Sequence, residues 1–181
     1  AIFCNGANMA YRKADFLELN NFENDDAVSG DDVFLLHSVK EKYKDAIVFA
    51  KDENAIVLTS AVQSTKGFIN QRKRWTAKTS GYKDFASLYA SFLVLFTNLS
   101  LVFLFVGYLY SDVYFQLFLF FYALKFMVDF LLLHQVLSFF KRKDLLKWIL
   151  PFELFYAFYI VLIVILSFTK SFEWKGRIHK K

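Results

Sequence analysis

Three long apolar runs constrain this chain more than any other feature of its sequence. Residues 86–110 carry no charged side chain over about 25 positions, which is long enough to cross a lipid bilayer as a helix. Residues 113–140 and 145–169 are similar apolar runs that contain few charges. The sequence therefore predicts a transmembrane region over residues 85–170, with about three helical spans.

Residues 1–84 have a different pattern. Short apolar runs at 2–4, 47–50 and 55–59 alternate with segments of helical spacing, which predicts an α/β fold. We therefore expect a soluble α/β domain over 1–84 and a basic tail over 171–181. The chain starts with neither an initiator Met nor a signal peptide, so we also expect it to be a fragment of a longer protein.

The positive charges are concentrated at the ends of the apolar runs. The formal net charge is +5, and the basic clusters lie at 72–78, 141–147 and 175–181. Basic flanks of membrane spans favour the cytoplasmic side, which predicts an integral membrane protein whose soluble part lies in the cytoplasm. No basic stripe with exposed aromatic residues is present, so we expect no nucleic-acid partner.

Gln71-Arg72-Lys73-Arg74-Trp75 is the first candidate site. Gln71 and Trp75 are four residues apart and share a helix face, with Arg74 beside them. Arginines bind phosphate oxygens in a bidentate way, and an indole offers a flat face to a sugar or a base. The alternative is that these residues only anchor the chain at the lipid interface, where basic residues and Trp are common.

Asp31 and Asp32 form the second candidate site, at the start of a predicted helix. A carboxylate in a fixed position can take a proton from a hydroxyl group. The alternative is that both residues only stabilise the helix dipole. Combined with the arginines, a base of this kind suits transfer of a group from a diphosphate leaving group to an alcohol.

Three segments resemble motifs of family-two glycosyltransferases. Ser29-Gly30-Asp31-Asp32-Val33-Phe34-Leu35 resembles the acidic motif of that family, and Gln71 to Trp75 matches its Q-x-x-R-W motif. The segment from Cys4 to Arg12 resembles the stretch that lines the acceptor side. With the downstream spans, the chain is similar to the carboxy-terminal part of the membrane-integrated members, which include cellulose synthase, hyaluronan synthase and ceramide glucosyltransferase.

The resemblance implies that residues 1–84 are a partial cytoplasmic catalytic domain, the C-terminal portion of a GT-A nucleotide-sugar transferase domain that inverts the anomeric carbon. We expect this catalytic part to lie at a bacterial inner membrane. It implies a nucleotide-sugar donor, a lipid or polysaccharide acceptor and a divalent cation, Mg or Mn. Asp32 would be the general base, and Asp31 stands where the family more often has Glu. The substrate-binding residues would be Gln71, Arg72, Arg74, Trp75, Cys4, Gly6 and Asn8. The family's nucleotide-binding strands and metal-binding Asp-x-Asp are missing from this sequence, so we expect the fragment to be inactive by itself.

Two other functions fit parts of the pattern. The chain could be a non-enzymatic membrane anchor or assembly subunit, with the basic pentad at the lipid interface. It could also be a small transporter that uses Lys125 and Asp129, which are four residues apart within the second span. A structural clasp between helices is the interpretation we favour for that pair. The sequence does not identify the sugar, the nucleotide or the acceptor, and a single transfer to a lipid is favoured over polymer synthesis.

Overall fold

The computed structural model describes residues 1–19, 31–43, 45–168, 171–174 and 177–180, with only the backbone for the last two ranges. Helices carry most of these residues. Short 3-10 segments lie at Gly6–Asn8, Glu53–Ala55, Thr79–Gly81 and Lys143–Trp148. The α-helices are α1 (Lys13–Glu18), α2 (Asp31–Lys42), α3 (Thr65–Lys78), α4 (Phe85–Gly107), α5 (Asp112–Phe139) and α6 (Ile149–Ser167).

The predicted α/β fold is wrong. The apolar runs at 2–4, 47–50 and 55–59 are irregular, and among the described residues the β-structure is limited to a two-stranded antiparallel hairpin, β1 (Ser171–Trp174) and β2 (Arg177–Lys180). A strand needs a neighbour that accepts and donates its backbone hydrogen bonds. Neither 47–50 nor 55–59 has such a neighbour here, and Val48 and Leu58 are 87% and 90% exposed. The apolar composition of these runs therefore does not place them in a sheet.

The chain divides into two compact units, each described by itself below. The first unit comprises residues 1–91 and 166–181, and the second comprises residues 92–165. In the first unit, the Tyr82 ring is buried against the rings of Phe3, Phe34 and His37, at centroid distances of 5.9, 6.0 and 5.2 Å. The apolar face of α2 completes this core with the buried residues Val33, Leu35 and Leu36.

Side-chain caps fix the starts of two helices in the first unit. Ser64 caps α3 by accepting a hydrogen bond from the Gly67 N–H at 3.1 Å. Asp84 precedes α4, and its Oδ2 accepts a hydrogen bond from the Ser87 N–H at 2.9 Å. These caps satisfy backbone donors that have no partner within the helix. They position the basic end of α3 and the entry to α4.

Three helical segments are long and apolar enough to span a membrane, as the sequence predicts: Phe85–Gly107, Asp112–Phe139 and Lys143–Ser167. They are compatible with an integral membrane protein. In the most apolar window of the second segment none of the residues is buried within the structure, as expected of a helix surface that faces lipid. Pro151 lies in the first turn of α6, where its missing N–H leaves no hydrogen bond unmade.

Aromatic contacts and a close helix approach hold the second unit together. Phe105 on α4 packs against Phe118 on α5 and Phe158 on α6, at centroid distances of 5.4 and 5.3 Å. Gly107 lies against the Tyr114 ring so closely that a Cβ at position 107 would be 2.8 Å from two ring carbons. The absence of a side chain at Gly107 therefore allows α4 and α5 to meet next to the turn that joins them.

Candidate functional site

The Asp32 carboxylate lies at the first turn of α2, against the segment that contains Cys4 and Gly6. The Gly6 N–H donates to Asp32 Oδ2 at 2.9 Å, and the Val33 N–H donates to Oδ1 at 2.9 Å. The Cys4 thiol donates to the Asp32 backbone carbonyl at 3.1 Å. Three predicted site residues therefore meet in space although 26 or more positions separate Cys4 and Gly6 from Asp32.

A 3-10 turn at Gly6–Asn8 presents the Gly6 N–H to Asp32. The Asn5 side chain caps the turn by accepting from the Ala7 N–H at 3.0 Å. The Asn8 side chain donates from Nδ2 to the carbonyl oxygen of Ala55 at 2.5 Å, which ties the turn to a distant loop. The side-chain amide of Asn8 therefore holds the turn in place. The resemblance assigns this same residue to the acceptor side.

Arg74 on α3 brings a positive charge to the same region. Burial lowers the pKa of the Arg74 guanidinium, and attraction to the Asp32 carboxylate partly offsets that effect. The two charges are therefore close enough to interact. The structure brings together the predicted base and one of the predicted diphosphate-binding residues.

Arg72 and Trp75 form a stacked pair on α3. The Arg72 guanidinium carbon lies 4.5 Å from the centroid of the Trp75 ring and 4.8 Å from that of Phe68. The Arg72 Nε is buried and has no hydrogen-bond partner among the described residues. Trp75 is 41% exposed, so part of its indole remains open to a ligand. Gln71, one turn before Trp75, is partly buried.

Asp31 differs from its neighbour Asp32. It is exposed at the first position of α2, and among the described residues no hydrogen bond or ion pair joins it to the other predicted site residues. Its position suits an interaction with the helix dipole. Ser29 and Gly30, the first two residues of the acidic motif, lie outside the described residues.

Tyr82 is a member of this region that the sequence reasoning missed. Burial raises the pKa of the Tyr82 hydroxyl, and the nearby charges of Asp32 and Cys4 raise it further. Tyr82 therefore lies within electrostatic reach of the predicted base. It is the one aromatic residue between Trp75 and Phe85 in the sequence, which could have marked it as a buried contact.

A second polar network surrounds the start of α4. Ser87 is fully buried, and its Oγ lies 2.9 Å from Asp84 Oδ2 and 3.0 Å from His37 Nε2. Lys40 Nζ lies 2.6 Å from Asp84 Oδ1. Burial alone would raise the pKa of Asp84, but hydrogen bonds from Lys40 and Ser87 outweigh it and lower the pKa to about 2. Because Ser87 is inaccessible, this network holds the helix start and offers no nucleophile.

The described residues do not fit the divalent cation that the resemblance implies. No group of three or more His, Cys, Asp and Glu side chains in the described part of the chain could hold a metal ion. Around Asp32 the neighbours are N–H donors and the Arg74 guanidinium, whereas a hard cation requires oxygen ligands. We therefore assign no step to a metal.

The arrangement combines a fixed carboxylate, a nearby guanidinium and a partly exposed indole. A carboxylate can accept a proton. A guanidinium near it can stabilise an anionic leaving group. The sequence matches no family model, no curated protein and no solved structure.

Proposed function

We propose that this chain forms part of an inverting glycosyltransferase that transfers a sugar, such as a hexose, from a nucleotide-sugar donor to a lipid or glycan acceptor at a membrane. One observation carries the proposal. Asp32, held through both carboxylate oxygens by the backbone N–H groups of Gly6 and Val33, lies within electrostatic reach of Arg74. A base and an anion-binding residue about forty positions apart thus share one site.

In the proposed reaction Asp32 is the general base. Each carboxylate oxygen accepts one N–H and has a second lone pair for the acceptor hydroxyl. As the hydroxyl oxygen attacks the anomeric carbon, its proton passes to Asp32 and the bond between the sugar and the diphosphate breaks. The nucleoside diphosphate leaves with the bonding electrons, and Arg74 and Arg72 stabilise its negative charge.

Two features support an acceptor at the membrane surface. They are the partly exposed Trp75 indole and the short stretch of sequence between Trp75 and the first membrane-spanning helix. Trp75 lies ten residues before Phe85, the first residue of α4. An exposed indole at this place can stack on a sugar ring. We place this face in the cytoplasm of a bacterial inner membrane, because basic residues flank the apolar runs. A single transfer to a lipid acceptor fits this arrangement best.

The decisive variant is Asp32→Asn, introduced into the gene so that the protein is made at its natural length. Membranes from these cells are incubated with radiolabelled nucleotide sugars, and label is counted in lipid extracts and in insoluble glycan. Loss of a general base should lower transfer by about 10²–10⁴-fold. Asn keeps one acceptor oxygen, so a purely structural effect should cost about 1 kcal/mol.

Asp15→Asn is the matched control, because Asp15 also lies in the first turn of a helix but outside the site. Transfer should remain at the wild-type level in that variant. Amounts of folded protein are equalised before the rates are compared. Wild-type transfer by Asp32→Asn would contradict the proposal and favour a membrane anchor or assembly subunit.

A further inference from the structure

Three charged side chains meet inside the second unit. Lys125 on α5 donates a hydrogen bond to Asp129 Oδ2 at 2.5 Å, so the predicted pair is formed. Lys125 also donates to Glu153 Oε1 on α6, a contact that the sequence did not predict. The side chains of Lys125 and Glu153 are 11% and 8% exposed, whereas that of Asp129 is 33% exposed.

The charges of this group do not balance. Lys125 supplies one positive charge, while Asp129 and Glu153 together supply two negative charges. All three residues lie in segments that are apolar and long enough to span a membrane. An uncompensated charge is expensive in such surroundings, so the group should acquire one further positive charge.

Two buried polar atoms of the second unit have no hydrogen-bond partner among the described residues. The Tyr122 hydroxyl is one of them, and it lies within electrostatic reach of Glu153 and Lys125. The other is Oδ1 of Asn98, a residue that is 1% exposed and donates through Nδ2 to the Val94 carbonyl. Buried polar atoms are normally hydrogen-bonded, so the Tyr122 hydroxyl and Asn98 Oδ1 each require a further hydrogen-bond partner.

Helix register places Asn98 level with Lys125. Phe105 on α4 packs against Phe118 on α5, and a short turn joins the two helices. Two helical turns are about seven residues. Counting that far from the connecting loop leads from Phe105 back to Asn98 on α4 and from Phe118 on to Lys125 on α5. The unpaired amide oxygen therefore belongs to the same layer as the charged group.

We propose that Lys125, Asp129 and Glu153 form a binding site for one proton, which the two carboxylates share. Lys125 Nζ occupies the place between the carboxylates where a metal ion would have to lie, so a proton suits the site better than Na⁺. A protonated carboxyl group also provides an O–H donor, which unpaired acceptors such as Asn98 Oδ1 require. This inference does not depend on the proposed glycosyl transfer.

Among the residues that the structure describes, the other groups around the site do not supply the missing positive charge. The Tyr156 ring lies 4.9 Å from Lys125 Nζ, and Tyr159 lies next to Tyr156 with their ring centroids 6.0 Å apart. Tyrosine hydroxyls cannot become cations, and Asn98 on α4 is neutral. The titratable groups that face the site are Tyr122, Lys125 and Asp129 on α5 and Glu153, Tyr156 and Tyr159 on α6.

Dicyclohexylcarbodiimide tests the proposal, because this lipid-soluble reagent modifies protonated carboxyl groups in apolar surroundings. Membranes that contain the full chain are treated at neutral pH, and the modified residue is located by mass spectrometry. We expect Asp129 or Glu153 to be labelled, with no more than one modification per chain. Infrared spectra of the purified protein should show the C=O band of a protonated carboxyl group.

Asp129→Asn gives the sharpest result. The variant leaves Lys125 and Glu153 as a balanced pair, so Glu153 should be ionised and both the labelling and the infrared band should be lost. Asp112→Asn is the matched control, because Asp112 is an exposed carboxylate at the start of α5 and its loss should change neither signal.

Three results would overturn the proposal. The first is a wild-type protein with neither label nor infrared band. The second is a labelled Glu153 in Asp129→Asn. The third is protection of the wild-type protein when sodium chloride replaces choline chloride, which would identify Na⁺ as the ligand. Labelling that is insensitive to sodium and lost in Asp129→Asn supports the proton site.

Discussion

Each unit contains a lysine that holds a carboxylate, but the two carboxylates are stabilised differently. In the first unit Asp84 accepts from the Ser87 N–H and from Ser87 Oγ as well as from Lys40. In the second unit Lys125 is the donor in every hydrogen bond described for Asp129 and Glu153. A carboxylate at a helix start can use backbone N–H groups, whereas one inside an apolar helix depends on an opposite charge.

The largest expected effect is that of Lys125→Met. This variant leaves two carboxylates without their cation, and breaking such a buried pair costs about 3–5 kcal/mol. Lys40→Met should cost about 1 kcal/mol or less, because Asp84 keeps the hydrogen bonds from Ser87 and the Lys40 side chain is 30% exposed. The free energy of unfolding in detergent micelles measures both changes.

Lower pH and a variant without charge at this site test further how Lys125 stabilises the two carboxylates. The loss in Lys125→Met should shrink at lower pH, because protonation removes the uncompensated charges. The triple variant Lys125→Met/Asp129→Asn/Glu153→Gln carries no charge at this site and should recover much of the stability. If Lys40→Met were as destabilising as Lys125→Met, the distinction between the two kinds of carboxylate would be wrong.

A glycine substitution compares packing in the two units. In Gly107→Ala the added Cβ would lie 2.8 Å from Cγ and Cδ1 of Tyr114 and 3.2 Å from its Cβ, so rotation of the ring cannot relieve the contact. We expect a loss of about 1–3 kcal/mol in the free energy of unfolding. A smaller effect of Gly107→Ala in a Tyr114→Ala background would show that this contact is the cause.

Gly67→Ala is the counterpart in the first unit. Its Cβ would lie 2.9 Å from Cγ1 of Val62, but Val62 is in an irregular segment and is 41% exposed, so it can move. The same Cβ would lie 3.0 Å from Oγ of Ser64, the cap of α3, and weakening that cap should cost about 1 kcal/mol. Alanine also improves helix propensity within α3 by about 1 kcal/mol. The net change should therefore be close to zero. Equal losses in the free energy of unfolding for Gly107→Ala and Gly67→Ala would contradict the view that packing in the second unit adjusts less easily to an added methyl group.

The sequence predicts the second unit better than the first. Long uncharged runs have few alternatives to membrane-spanning helices, and the i,i+4 spacing of Lys125 and Asp129 correctly predicts their ion pair. The partnership with Glu153 could not be predicted, because it depends on how α6 packs against α5. Spacing within one helix is a local property, whereas contacts between helices are not.

The prediction of strands failed for a related physical reason. A run such as 55–59 has the composition of a buried strand, but a strand forms only if another segment of the chain pairs with it. Of the predicted site residues, Cys4 and Gly6 contact Asp32 and Arg74 lies within electrostatic reach of it, whereas their role as a functional site stays a prediction. Motif order indicated which residues meet, but not the fold that brings them together.

A further expected effect concerns the charge of Asp84 in acid. Its pKa of about 2 lies below the ordinary value of 3.8, so the folded state favours the ionised form. The resulting stabilisation is complete above about pH 4 and is lost as the pH falls from 3.8 towards 2. Asp84→Asn should therefore lower the free energy of unfolding at neutral pH by about 1–2 kcal/mol, with less difference from the wild type near pH 2.

Asp144→Asn provides the control for that pH dependence. Arg142 also donates two hydrogen bonds to Asp144, but both side chains are more than half exposed, so water and salt screen the pair. Unfolding curves between neutral pH and pH 2 should show a clear change in slope for Asp84→Asn and almost none for Asp144→Asn. If both variants behaved alike, the hydrogen bonds from Lys40 and Ser87 would not be what makes Asp84 different. The hydrogen bonds from Ser87 would then stabilise the helix end without favouring the charged carboxylate.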